Sequence, residues 1–241
     1  MRTLSRNIAS LSTALTLIFS SLPALAWHDK THLSVAEAAG FELWYSAAAP
    51  DVAKSKSEFR PIEEKNHYFN NRAGKEVDAA MVMSQIERYN KPDDVEGHLY
   101  GAIIGAIRAY KAEQNTGKYA EYPLVFCAHY VADLSMPLHN TLYDDFNKNR
   151  HSINDGIVEG SVRNNIGYIQ RNMEDIVILN EADLAREIAK VANTARILGS
   201  KIRDEKRNMT QNEVYTQLSR SASLLHAVLK YVGKTPASPV S

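Results

Sequence analysis

The chain has 241 residues, 44% of them hydrophobic, and its 28 basic and 28 acidic side chains cancel. That length and apolar content suffice for one domain with a sizeable core, and the neutral balance carries no electrostatic footprint of tight nucleic-acid binding. The single Cys127 excludes an intramolecular disulfide, and its place in an apolar run points to burial rather than a catalytic thiol.

Residues 1–26 read as a secretory signal peptide. Arg2 and Arg6 form a basic start, an apolar stretch runs from Ile8 to Leu22, and Ala24-Leu25-Ala26 is a small-x-small cleavage site. The apolar run is too short for a comfortable membrane span. The expected mature domain is 27–241, secreted or periplasmic, with no integral membrane segment. Cleavage would free the α-amino group of Trp27, which together with its own carbonyl oxygen can chelate a metal. His32 follows at the start of an apolar-periodic segment. Residues 50–60, with Pro50, Lys54 and Lys56, read as a loop whose first acid is Asp51. Asn66-His67-Tyr68-Phe69-Asn70-Asn71 places a histidine and two rings among turn-forming asparagines.

Helical periodicity returns over 76–89 and 95–114. In the second segment Gly101 and Gly105 allow close helix contact, and His98 reads as a surface residue. The run from Tyr119 to Leu138 is mostly apolar yet carries His129 and Asp133, four apart and therefore on one helical face. Pro137 should bend or end that helix and re-aim His139. A polar stretch leads to His151 and Asp155, again four apart, inside what reads as one long helix to Leu179. Two amphipathic helices follow, over 181–205 and 210–232, with His226 among core positions and a frayed tail from Thr235. No strand alternation with hairpin turns occurs. The expected class is all-α, a single-domain multi-helix bundle with ligands pointing into its middle. Imidazole and carboxylate donors without thiolate suit zinc and could accept manganese or iron.

A Trp after the cleavage site, a His soon after it, an Asp, a later His, then HxxxDxxxPxH and HxxxD in that order resemble the superfamily that joins zinc-dependent bacterial phospholipase C with the single-strand-specific zinc nucleases. The resemblance spans Trp27 to Asp155. It implies three zinc ions in one cleft. Asp51, His67, His129 and Asp133 would hold the first, and His139, His151 and Asp155 the second. The Trp27 amino end, His32 and a bridging Asp133 would hold the third. Glu58, Glu63 or Glu64 could take the place of Asp51. The implied activity is phosphodiester hydrolysis by a metal-activated water, with Asp51 also orienting or deprotonating that water. Tyr68 and Phe69 would contact substrate.

The missing cysteine pairs, the eleven residues between His139 and His151, and the rings after His67 resemble the phospholipase side. Asp155, where phospholipases usually carry Glu, resembles the nuclease side, and Lys30 offers no choline-binding carboxylate. A phospholipase C is therefore the leading expectation and a single-strand nuclease or 3′-nucleotidase the alternative. A non-catalytic zinc-stabilised helical module is a third reading. The partner is a phospholipid or a single-stranded nucleic acid, with transient contact to a membrane surface, and the chain is expected to be a monomer.

Overall fold

Helix α6 (Tyr122–Leu134) is buried along almost its whole length, as a helix that is apolar on all sides must be. In the computed structural model, which describes residues 27–117 and 119–237, it is surrounded by α1 (Asp29–Ala38), α2 (Ala49–Lys54), α5 (Leu99–Glu113), α9 (Glu181–Asp204) and α10 (Gln211–Tyr231). The bundle is completed by α3 (Arg60–Glu63), α4 (Ala79–Ser84), α7 (Asp145–Asp155), α8 (Ile166–Arg171) and five short 3-10 helices, with no strand among the described residues. The fold is a single all-α domain. The signal peptide expected over 1–26 lies outside the described residues, and no described helix is long and apolar enough to cross a membrane.

Proline and capping chemistry set the boundaries near the site. Pro123 occupies the first turn of α6, where its missing N–H leaves nothing unsatisfied. At the other end Pro137 cannot continue the ladder, so the helix stops at Leu134 and the chain re-forms as a 3-10 helix, Pro137–Asn140. Asn140 pins that turn. Its amide donates to the carbonyls of Leu134 (2.9 Å) and Met136 (2.8 Å), while its oxygen accepts from the Tyr100 hydroxyl (3.0 Å). Asp144 caps α7 by accepting from Asn147 N, and Thr210 and Glu213 form a reciprocal capping box on α10.

Several local expectations change. Residues 50–60 are a loop only in part: α2 (Ala49–Lys54) takes Pro50 in its first turn and puts Asp51 and Lys54 on a helix, residues 55–59 are turns, and α3 begins at Arg60. The segment 76–89 is not one helix but α4 followed by a 3-10 turn, ending where Asn90 adopts φ 62°. The long helix expected after His151 stops at Asp155 before Gly156, and α8 is a separate piece that packs on α1 and α10. His98 is not on the surface. It is fully buried between Asp94 Oδ2 and Asn66 Oδ1, at 2.9 Å from each. The tail is held as far as Ala237, whose N–H donates to the Gly40 carbonyl (2.9 Å). Gly101 and Gly105 do permit close approach, to the Gln85–Tyr89 turn rather than to another long helix.

Gly199 is the corresponding contact beneath the site. A Cβ there would meet Thr141 Cγ2 at 2.7 Å and the Pro137 carbonyl oxygen at 2.9 Å. Gly199→Ala should therefore cost about 1–3 kcal/mol in urea unfolding, although alanine is the better helix former. Unchanged stability would show that the Pro137–Asn140 turn yields easily.

Candidate metal centre

Six separate pieces of the fold bring ionisable side chains to one buried place. His32 comes from α1 and Asp51 from α2. His67 follows the 3-10 turn Glu64–Asn66, His129 and Asp133 share one face of α6, and His139 lies on the Pro137–Asn140 turn. His151 and Asp155 add one face of α7. These eight residues form three groups whose ligating atoms lie within 4.8 Å of one another: His32, His129 and Asp133; Asp51, His67 and His129; and His139, His151 and Asp155.

Asp133 joins them. Its Oδ1 lies 3.5 Å from His32 Nε2 and 3.6 Å from His139 Nδ1, and its Oδ2 lies 2.9 Å from His67 Nδ1 and 3.3 Å from His129 Nε2. The third group is closed by His139 Nε2 and His151 Nε2, 2.9 Å apart, with Asp155 Oδ2 3.6 Å from the latter. Asp133, Asp155 and His129 are fully buried, whereas Asp51 and His151 each keep 6% exposure.

The hydrogen-bond partners decide which nitrogen faces inward. His129 Nδ1 donates to the Ala47 carbonyl (2.8 Å) and His151 Nδ1 to Asn147 Oδ1 (2.8 Å). Each Nε2 therefore turns a lone pair toward other acceptors. Lone pairs of imidazoles facing carboxylate oxygens, with His32 and Asp155 lacking any hydrogen-bond partner on either polar atom, is a costly arrangement for a buried site. A shared cation resolves it, so the residues fit a multinuclear metal site, and the three His/Asp triads could hold metal ions.

Electrostatics point the same way. Burial pushes His32 and His151 down to about 3 and His129 to about 4, so these imidazoles are neutral and ligand-ready at pH 7. His32 and His129 stack at 3.7 Å with their planes 10° apart, an arrangement that neutral rings tolerate. Burial also raises Asp133 and Asp155 well above the usual carboxylate range, which a bound cation would counter. Asp51 differs. Burial pushes it up, but His129, Lys54 and His32 outweigh that and hold it below its ordinary value.

Comparison with protein-family models, curated proteins and solved structures found no match.

Trp27 is fully buried, and its indole donates to the Ala132 carbonyl (3.1 Å), one residue before Asp133. Phe69 packs into the core against Tyr100, at 5.2 Å between centroids, so it is not free to contact a substrate as expected. Its neighbour Tyr68 remains half-buried, with its hydroxyl accepting from Lys65 Nζ (3.0 Å).

Two site residues escaped the sequence reading. Lys54 is 5% exposed, and its ammonium lies 2.7 Å from Asp51 Oδ1 and 3.5 Å from His67 Nδ1. The signal was its i+3 spacing from Asp51, which counts only if residues 50–54 are helical. Glu63, considered only as a substitute for Asp51, lies on the far side of His67, and burial lifts its carboxyl to about 7.

Proposed function

We propose that this chain is a zinc-dependent phosphoric diester hydrolase, most simply a phospholipase C. The observation that carries the proposal is the bridging position of Asp133 among three adjacent groups, two of which, His32 with His129 and His139 with His151 and Asp155, lack a full set of four protein ligands. Purely structural zinc sites close with four protein ligands, whereas hydrolytic sites keep a position open. Bound zinc ions would neutralise the phosphodiester and lower the pKa of a bound water toward neutrality.

The remaining roles belong to the chain. Asp51, kept ionised beside Lys54, accepts or orients the proton of the attacking water. Lys54 steadies that carboxylate and places a positive charge where phosphate oxygens gather. The Trp27 amino group, freed by removal of residues 1–26 during export, completes the His32 group.

Val52 (58% exposed) on α2, Ile62 (37%) on α3 and Phe59 (51%) just before α3 leave apolar surface near Asp51 and Glu63, which suits transient contact with a lipid surface. The nuclease reading has its own support. Lys65 lies 5.6 Å over the Tyr68 ring beside His67, a pairing that suits a base and its phosphate. The protein is taken to act as a monomer outside the cytoplasm.

Elemental analysis of purified protein beginning at Trp27, with a panel of phosphatidylcholine, other phospholipids, single-stranded DNA, RNA and 3′-nucleotides, tests the assignment. The expected result is bound zinc with diacylglycerol release. A form with one extra residue before Trp27 should bind less zinc, because an amide replaces the amine. Cleavage of nucleic acid alone selects the nuclease. Bound zinc with no hydrolysis of any phosphodiester leaves the non-catalytic module.

A further inference from the structure

His67 is the one histidine of the centre whose outward nitrogen faces a carboxylate. His129 is oriented by a main-chain carbonyl and His151 by a neutral amide, at 2.8 Å each. The Nε2 of His67 instead lies 3.4 Å from Glu63 Oε1, an ion-pair distance without a formed hydrogen bond, while its Nδ1 turns inward to Asp133 Oδ2 (2.9 Å) and His129 Nε2 (3.2 Å).

Glu63 is itself held. The same Oε1 accepts from the Tyr130 hydroxyl (2.6 Å), and that hydroxyl accepts from the buried Asn66 amide (3.1 Å). Asn66 in turn bonds Asn90 Oδ1 and His98, at 2.9 Å each, and His98 is anchored to Asp94. The carboxylate is therefore fixed from α6 and from the 90–98 loop, independently of the metal groups.

Charge gives this arrangement a purpose. Of the three groups, only that of Asp51, His67 and His129 contains a cationic side chain, Lys54. Its ammonium offsets the charge of Asp51 and disfavours a cation there. The Glu63 carboxyl beside the outer nitrogen of His67, when ionised, returns negative charge to this group. With the ring proton on Nε2, facing this carboxyl, the lone pair is on Nδ1 and the imidazole is a stronger donor to a cation.

We infer that Glu63 is a positioning residue for the metal group of Asp51, His67 and His129: it orients and polarises His67 without touching the ion. This rests on the proposed metal-binding reading and adds a residue outside the ligand set.

The test is competition for zinc between the metal-free protein and a chromophoric chelator. Glu63→Gln keeps the shape and the Tyr130 bond but removes the charge. It should weaken one zinc by about 10- to 100-fold and leave the other sites at parental affinity. Tyr130→Phe, which releases Glu63 without altering it, should weaken the same zinc by a smaller factor. A merely structural role would lower the thermal midpoint of the metal-free variants and leave zinc affinity alone, and that result overturns the inference. So does an affinity within about twofold of the parent in both variants, or equal weakening at every site. If the parent chain binds no zinc, the metal-binding reading falls and this inference with it, an outcome distinct from a parent that binds while its Glu63 variants bind equally well.

Discussion

Asp133→Asn should remove more metal than any other single substitution in the centre. The side chain keeps its shape but loses the charge that faces four histidines, His32, His67, His129 and His139, at 2.9 to 3.6 Å. His139→Asn removes a residue that reaches only Asp133 and His151. Elemental analysis of the two variants should show a larger zinc deficit for Asp133→Asn. Each site left empty forfeits about 2.7 kcal/mol of stability when free zinc stands at about 100 times its dissociation constant. In the metal-free protein the order changes. There burial raises Asp133 well above the usual range and so favours its neutral form. An amide mimics that neutral form, so Asp133→Asn should scarcely move the metal-free thermal midpoint. Equal zinc loss in the two variants would remove Asp133 from its bridging role.

Metal removal itself should have the second large effect, and its size should depend on pH. Two sets of groups pull in opposite directions once the ions are gone. His32 and His151 at about 3 and His129 at about 4 have folded-state values depressed below 6.5. Their contribution to stability is present above pH 6.5 and is lost as pH falls toward 4 and then 3, because the unfolded chain binds the protons that the buried rings refuse. Asp133 and Asp155 have raised folded-state values. Their contribution is complete below the unfolded carboxylate range and is lost as pH rises through it, because the fold must then ionise two buried carboxyls or keep their protons. The chelated protein should therefore unfold more easily than the zinc-loaded one at neutral pH, and its stability should fall again on acidification below 6.5. Thermal unfolding with and without chelator between pH 4 and 8 checks both arms. A chelated protein as stable at pH 4.5 as at pH 7 would contradict the acid arm.

The helical class and the His/Asp pairs of α6 and α7 were legible from spacing alone. A four-residue interval places His129 with Asp133, and His151 with Asp155, on single helical faces whatever the tertiary structure does. Pro137 ends α6 through its missing N–H, a purely local effect, and so turns His139 out of the helix. The apolar text around Cys127 likewise predicts burial, and the thiol is fully buried.

What stayed hidden depended on contacts between distant segments. Residues 50–54 read as a loop because helix propensity is weak there. Packing of α2 against α6 and α3 makes them helical, and only then do Asp51 and Lys54 face one group. His98 lies next to a charged loop and reads as exposed. Asp94 and Asn66 satisfy both ring nitrogens, which permits full burial. Phe69 looked like a substrate ring from its place after His67, but the chain direction set by its main-chain bond to His139 (2.9 Å) turns it into the core. Local periodicity determined which side chains share a helix face. Which faces meet, and so which of the chain's many acids and histidines become neighbours, was decided by the burial of α6, because its apolar surface has to be covered on every side.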